Sequence, residues 1–150
     1  SDKLKLGAIE EINYDDNSFD FRTFGAVFEH LYEPSLCLEK AMTWLKKGGV
    51  IQIEVPSSKW LLPKFMNFYF KIIGTNYVTN LSPMHSPFHL HEFDLKSFEA
   101  LSKKLNFTLV KSRVEVCSIY FFPKFLHPIL RWYMKKTNTG MQLTVYLQKN

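Results

Sequence analysis

Residues 19–56 read FDFRTFGAVFEHLYEPSLCLEKAMTWLKKGGVIQIEVP, and this stretch decides the fold. Its first seven residues are rich in aromatic side chains and follow the turn-forming residues 15–18, which predicts a strand. A helix is expected over about residues 34–46, because a proline suits its first turn and Gly48-Gly49 suits its end. The β-branched run 50–55 predicts a second strand. Strand, helix and strand with short connections predict a right-handed crossover between parallel strands.

The rest of the chain alternates between helical and extended patterns. We expect these further elements: a helix over 59–73, a long loop over 74–93, a helix that Asp94 caps and that runs to about 105, a strand over 107–117, an aromatic and basic segment over 119–136 broken by Pro123 and Pro128, and a last strand over 141–148. A loop of this length is uncommon in a compact domain unless it has a function.

Length and composition suit one ordinary globular domain. The chain has 150 residues, of which 46% are hydrophobic and 22% charged, with a net charge of +5. No apolar run reaches the roughly 18 residues that a membrane-spanning helix needs, so we expect a cytoplasmic protein. Cys37 and Cys117 show no metal or disulfide spacing, and we interpret both as buried thiols.

Several short motifs follow one another in the order and spacing of a known family. They are DNSFD at 16–20, VFEHL at 27–31, EP at 33–34, LKKGG at 45–49 and VP at 55–56. This string resembles the class I S-adenosylmethionine (SAM)-dependent methyltransferases, of the type 11 and type 23 kind. The resemblance implies an α/β fold in which residues 1–150 form the C-terminal part of one methyltransferase domain. We therefore expect a Rossmann-like doubly wound sheet with strands four to seven only. Helical insertions would follow strands five and six, over about 59–93 and 119–138.

The resemblance also implies where SAM would bind. In an open doubly wound sheet, ligands lie outside the carboxyl ends of the strands. The residues after the first strand, Phe24, Gly25 and Ala26, are expected to hold the methionine portion, with His30 beside them. Ala8 and Ile9 correspond to the segment that contacts adenine. The family often has an acidic residue at the position of Ala8, so the contact is expected from the backbone of Ile9 or from Glu10.

The sequence has no GxGxG motif after a strand. We expect the glycine-rich cofactor loop to lie N-terminal to residue 1, so that this chain is a fragment of the enzyme. The alternative is a partial domain that binds no SAM and serves as a non-catalytic interaction module. A fragment would expose the edge of the first strand, which is normally covered, and this favours pairing between copies of the chain as a homodimer.

Histidines dominate the candidate reactive groups. His85 and His89 lie in the long loop expected to close over the substrate, and a histidine is the natural base near neutral pH, so we assign both as catalytic. Glu29 and His30 together with the loop histidines also suit zinc or a similar ion. A similar Glu-His pair holds a divalent cation in some RNA 2′-O-methyltransferases. Those enzymes have a further glutamate where this chain has Ala26, and we therefore predict no metal.

Two aromatic and basic segments, 60–73 and 120–136, point to the acceptor. Near-continuous apolar residues with interspersed lysines suit a helix lying at a membrane interface. A small-molecule or lipid-linked acceptor is therefore expected, methylated on oxygen, and residues 76–93 resemble surface-polysaccharide methyltransferases. The similarity at Glu29-His30 extends to quinone-biosynthesis O-methyltransferases. The alternative is that the two segments pack on each other as a lid or dimer interface. Nucleic acid is not predicted, because basic residues are scattered and only three are arginines.

Overall fold

Four strands form one sheet, flanked by four α-helices, in the computed structural model, which describes residues 5–79, 88–119 and 122–150. The strands are β1 (Phe19–Gly25), β2 (Leu45–Pro56), β3 (Phe107–Glu115) and β4 (Gln142–Lys149). The helices are α1 (Pro34–Trp44), α2 (Leu61–Ile72), α3 (Leu95–Leu105) and α4 (His127–Thr137). The strand order in the sheet is β1-β2-β4-β3.

The direction of the strands matches the sequence prediction. β1 and β2 are parallel and are joined through α1, whereas β4 runs antiparallel to both β2 and β3. A parallel pair followed by an antiparallel hairpin is the arrangement expected for strands four to seven of the doubly wound methyltransferase sheet. The fold class predicted from the sequence is therefore confirmed.

The predicted boundary between α1 and β2 is wrong. We expected the helix to continue to about residue 46 and Gly48-Gly49 to end it, but α1 ends at Trp44 and the glycines lie within β2. The pairing of β1 with β2 shifts register between Phe19 and Phe21. Gly48, at a φ of 76°, supplies the backbone turn that this irregularity needs.

Two further boundaries differ from expectation. Pro128 does not break the segment 119–136, because it occupies the first turn of α4, where a missing N–H costs nothing. Strand β3 ends at Glu115, before the predicted residue 117. Of the long loop, residues 74–79 and 88–93 are described, and Ser57 forms a parallel bridge with Phe93.

The main core lies around the two central strands. β2 buries Ile51, Ile53 and Val55, and β4 buries the alternate residues Leu143, Val145 and Leu147. A smaller apolar cluster joins Leu62 of α2 to Met134 of α4. Among the described helices, none combines the length and the apolar character that crossing a bilayer requires.

Candidate cofactor and acceptor site

A short 3-10 turn, Phe28–His30, follows the carboxyl end of β1 and positions the first reactive side chains. Phe28 is fully buried, with its ring centroid 5.2 Å from that of Phe93 and 6.0 Å from that of Phe98. Burial of the whole Phe28 ring holds the turn against the core. The next two residues, Glu29 and His30, are therefore held in place by their neighbour in sequence.

The backbone of Glu29 holds the end of the long loop against this turn. Its carbonyl oxygen accepts hydrogen bonds from the backbone N–H of Leu90, at 2.9 Å, and of His91, at 3.2 Å. The imidazole of His91 lies 3.4 Å from the carbonyl oxygen of Tyr32 through Nε2. These contacts bring residues 88–91, which are almost 60 positions away in sequence, next to the end of β1.

Glu29, His30 and His89 form a cluster of three potential ligand groups. One side-chain atom from each lies within 4.8 Å of the other two. The rings of His30 and His89 are 4.8 Å apart between centroids and nearly perpendicular. His30 Nδ1 lies 2.8 Å from the carbonyl oxygen of Phe88. A neutral His30 therefore donates through Nδ1 and keeps its lone pair on Nε2, which lies 3.8 Å from Glu29 Oε1.

The carboxylate of Glu29 is the most deeply buried charged group of this cluster. Only 2% of the residue is exposed, and no group in the described part of the chain donates a hydrogen bond to its Oε2 atom. A buried oxygen without a donor is costly unless a water, an ion or a ligand binds it. The set of one carboxylate and two imidazoles suits acid–base chemistry, and it also has the composition of a divalent metal site.

The end of β1 leaves space for a ligand. A side chain placed at Gly25 would meet nothing within 4 Å. Ala26 adopts a φ of 50° and its N–H donates to the carbonyl oxygen of Glu54 at 3.0 Å, which turns the chain away from the sheet. The side chain of Glu54 accepts a hydrogen bond from Gln142 at the same edge. This edge is where the carboxyl ends of β1, β2 and β3 meet.

A second cavity, of about 330 Å³, lies along the free edge of β1. Ile9 and Phe24 are among its lining residues, together with Gly7. Segment 5–14 reaches this position because Glu10 is tied to α1: its carbonyl oxygen accepts from Lys40 Nζ at 2.7 Å, and its carboxylate accepts from Cys37 Sγ at 3.5 Å. Burial and this hydrogen bond raise the pKa of Cys37 to about 11, so its thiol stays neutral.

Arg22 is a feature of this cavity that the sequence analysis missed. Its guanidinium lies over the rings of Phe19, at 4.0 Å, and Trp44, at 4.2 Å. Desolvation by burial lowers the pKa of Arg22 from its ordinary value. The sequence did contain a signal for this position of Arg22. Arg22 and Phe24 are two residues apart in a strand, and such residues lie on the same face of the sheet.

The predicted site residues fall into two groups. Ile9 and Phe24 line the cavity, and Ala8 lies in the turn just before Ile9, where its carbonyl oxygen accepts from the N–H groups of residues 11 and 12. Gly25, Ala26, His30 and His89 lie at or beyond the end of β1. The predicted catalytic residue His85 lies outside the described residues. Of the two predicted buried thiols, Cys37 is buried, whereas Cys117 is only partly buried, a correction explained by its place beyond the end of β3.

An apolar groove of about 620 Å³ lies between α2 and α4. Phe65, Met66 and Tyr69 line it from α2, and Ile129 and Leu130 line it from α4. Helix α2 leaves the sheet where β2 ends, and α4 connects the end of β3 with the start of β4. Both walls of the groove therefore originate at the edge of the sheet that carries the histidine cluster.

The comparisons with known proteins agree with this architecture. Residues 2–53 match the family model described as "Methyltransferase domain". The structure is similar to SAM-dependent methyltransferases from Thermotoga maritima (TM-score 0.64, 15% identity), Methanosarcina mazei (0.60, 18%) and Archaeoglobus fulgidus (0.59, 17%). The matches cover 96%, 97% and 97% of this chain and 62%, 66% and 66% of those proteins, respectively. No curated protein matches the sequence.

The fold is thus that of a class I methyltransferase, with the site at the carboxyl edge of the sheet. The chain is similar to the methyltransferase domain family over residues 2–53, and it shares the fold of the SAM-dependent methyltransferases above, of whose length it spans just under two thirds. The similar proteins are named as SAM-dependent, so SAM is the cofactor against which the site is tested. The residues present fit it in part: the space at Gly25 leaves room for a ligand, and Ile9 and Phe24 supply apolar walls of the kind that an adenine ring needs.

Proposed function

We propose that the protein transfers a methyl group from SAM to an oxygen atom of a small-molecule or lipid-linked acceptor. The observation that carries the proposal is the shared edge of the sheet, where the histidine cluster and both walls of the apolar groove originate. Ligand sites in open α/β sheets lie at such an edge. We place the reaction in the cytoplasm, with the protein in peripheral contact with a membrane through 60–73 and 120–136.

His89 is the proposed general base. SAM, when bound, supplies a methyl group on a positively charged sulfur. With an acceptor hydroxyl held beside bound SAM, His89 would take the hydroxyl proton and leave the oxygen free to accept the methyl group. The His30 ring lies 4.8 Å away between centroids, and one side-chain oxygen of the buried Glu29 lies within 4.8 Å of a nitrogen of each ring. His85 remains a second predicted base in the same loop.

The groove supports the proposed acceptor class. Its volume of about 620 Å³ lies within the range of small-molecule sites, roughly 300–1,000 Å³, and the side chains that line it are apolar. A hydrocarbon chain fits such a lining, whereas a free sugar needs more polar partners. The acceptor would therefore place its lipid part between α2 and α4 and its hydroxyl toward the histidines.

Titration of S-adenosylhomocysteine, the product of SAM, tests the cofactor. It should be titrated into residues 1–150 and into a chain extended upstream by roughly 100 residues, enough for three further βα units. Binding by the extended chain supports the enzyme. Absence of binding by both chains would favour the alternative, a non-catalytic interaction module that packs through its exposed aromatic surface. The same titration with a chelator present tests the prediction that no metal is needed, because an affinity lost on chelation would contradict it.

A substitution tests the base. His89→Gln in the extended chain is expected to lower kcat by about 10²–10⁴-fold and to leave the dissociation constant of S-adenosylhomocysteine unchanged. An unchanged kcat would remove His89 from this role, and a parallel loss of cofactor affinity would assign it to binding.

A further inference from the structure

The acidic and basic residues of this chain are segregated along the sequence. Residues 55–91 and 116–150 contain no Asp or Glu, but they contain eight of the 19 Lys and Arg residues. These two stretches therefore have a net charge of +8, whereas the other residues, with 11 basic and 14 acidic side chains, have a net charge of −3. The overall charge of +5 conceals this division.

The two basic stretches contain α2 and α4, which the fold brings together. Leu62 and Met134 are buried in the cluster between them. No described segment covers the outer faces of the two helices or the 3-10 turn Lys124–Leu126 that precedes α4. Large apolar side chains are exposed there: Phe68 64%, Ile72 67%, Phe125 76%, Ile129 64% and Trp132 60%. We call this surface the α2–α4 face. Several exposed aromatic and aliphatic residues side by side mark an interaction site.

Lysines surround the apolar residues of the α2–α4 face. They are Lys64 and Lys71 on α2, and Lys124, Lys135 and Lys136 at or beside α4. Within the described ranges these five form no salt bridge, although Lys59 nearby pairs with Asp94 at 3.2 Å. Lys136 Nζ lies 5.1 Å from the centre of the Trp132 ring, so positive charge and an exposed indole occur together. Such a surface is complementary to a layer of negative charge over an apolar interior.

We propose that the α2–α4 face docks on the surface of an anionic lipid bilayer. The exposed aromatic and aliphatic side chains enter the boundary between headgroups and acyl chains, and the lysines bind the lipid phosphates. The groove between α2 and α4 then opens toward the lipid. The acceptor would then come from the bilayer, and this part of the proposal rests on the proposed function. The docking itself depends on neither SAM nor methyl transfer.

Two other occupants fit the face less well. A second copy of the chain would bring the five lysines of this face against the same five, and like charges oppose that contact. Nucleic acid is commonly read through arginines, and the single arginine in the two basic stretches, Arg131, already donates to the carbonyl oxygen of Val116 at 2.8 Å. The phosphate backbone of a nucleic acid also offers no apolar surface for the exposed Ile72 and Ile129 to contact.

Vesicle sedimentation with the full-length protein tests the proposal. Binding is expected to vesicles of equimolar phosphatidylcholine and phosphatidylglycerol and not to pure phosphatidylcholine. The double variant Lys135→Glu/Lys136→Glu should weaken binding by at least about 20-fold, because each lysine near an anionic surface contributes a several-fold factor. The matched control, Lys103→Glu/Lys104→Glu on α3, makes the same charge change away from the face and should bind as the parent does.

Fluorescence gives a readout of insertion. In a Trp60→Phe background, the emission of the exposed Trp132 should shift to shorter wavelength on anionic vesicles. The shift should vanish when Trp132→Phe is added, since the remaining Trp44 is buried at 3% exposure. Equal binding to neutral vesicles, an equal loss in the α3 control, or preferential binding of an oligonucleotide would overturn the proposal. So would a vesicle-free dimer that Trp132→Phe or the lysine variant dissociates. Binding of S-adenosylhomocysteine is measured separately, and it distinguishes a failure of docking from a failure of the methyltransferase function.

Discussion

Asp94 begins α3 with a reciprocal pair of hydrogen bonds. Its Oδ1 atom accepts from the backbone N–H of Ser97 at 3.0 Å, its own N–H donates to Ser97 Oγ at 3.3 Å, and Lys59 Nζ lies 3.2 Å from Oδ2. Burial by itself raises the pKa of Asp94, but the hydrogen bond from Ser97 and the charge of Lys59 together bring it below its ordinary value. The ionised form is thus the stabilising one.

The lowered pKa of Asp94 predicts how its contribution to stability changes with pH. Because the pKa is lower in the folded state, the stability that Asp94 contributes is present above its unfolded pKa, near 4, and is lost as the pH falls through the folded value. Asp94→Ala is expected to cost about 1 kcal/mol at pH 7, with a smaller difference from the parent near pH 3. Urea unfolding at both pH values measures it, with the exposed Glu99→Ala as control. A cost that is equal at both pH values would refute the argument.

Residues differ in how far their role can be predicted from sequence. The capping role of Asp94 depends on side chains three positions apart, and the sequence predicted it. The buried state of Glu29 depends on Leu90 and His91, which reach its carbonyl oxygen from a distant loop. No local sequence pattern indicates such a contact. The sequence alone therefore could not decide whether His89 or His91 lies beside Glu29 and His30.

At the scale of elements, local signals predicted the centres of helices and strands better than their ends. β1 was predicted to the residue, because a turn precedes it and a turn follows it. The end of α1 was misplaced because Gly48-Gly49 resembles a helix stop. Lys149 Nζ donates to the carbonyl oxygen of Leu45 at 2.7 Å, and Gln148 Nε2 donates to that of Gly48 at 3.0 Å. These hydrogen bonds from β4 hold residues 45–48 in β2. Because their donors lie about 100 positions later in the sequence, local signals could not predict them.

The 3-10 turn that carries the site should depend on Phe28. Removal of this fully buried ring leaves a cavity between β1, Phe93 and α3, so Phe28→Ala is expected to lower the free energy of unfolding by about 3–5 kcal/mol. Chemical denaturation followed by circular dichroism measures it. Phe125→Ala, which truncates a ring that is 76% exposed, is the matched control and should change stability by less than about 0.5 kcal/mol. Similar costs for the two variants would mean that Phe28 does not anchor the turn.

For the whole molecule, the order of the motifs was sufficient to predict the fold class, and the family match over residues 2–53 includes every motif except VP at 55–56. The position of the apolar groove was beyond prediction from sequence. Its two walls are separated by more than 50 residues, and each alone has only an amphipathic pattern. The aromatic content of 60–73 and 120–136 predicted that these segments interact with something, and the fold shows that they interact with each other and still leave an exposed face.

The two edges of the sheet differ, and this leads to a prediction about association. β3 forms one edge, and it is protected by an irregularity between Leu109 and Lys111 and by the charges of Lys111 and Arg113. β1 forms the other edge, where Phe21 is 52% exposed and no comparable irregularity separates Phe21 from Gly25. An edge of this kind is a template for pairing with a further strand. We expect residues 1–150 alone to dimerise through β1.

Light scattering coupled to size exclusion, over a range of concentrations, measures the association. Phe21→Lys places a charge on the β1 edge and should keep the chain monomeric, whereas Val110→Lys on the β3 edge should dimerise as the parent does. In the chain extended upstream, a strand of the same polypeptide should occupy the β1 edge and abolish the dimer. A parent chain that remains monomeric at high concentration would show that segment 5–14 already covers the edge, since Gly7 and Ile9 line the cavity beside Phe21 and Thr23.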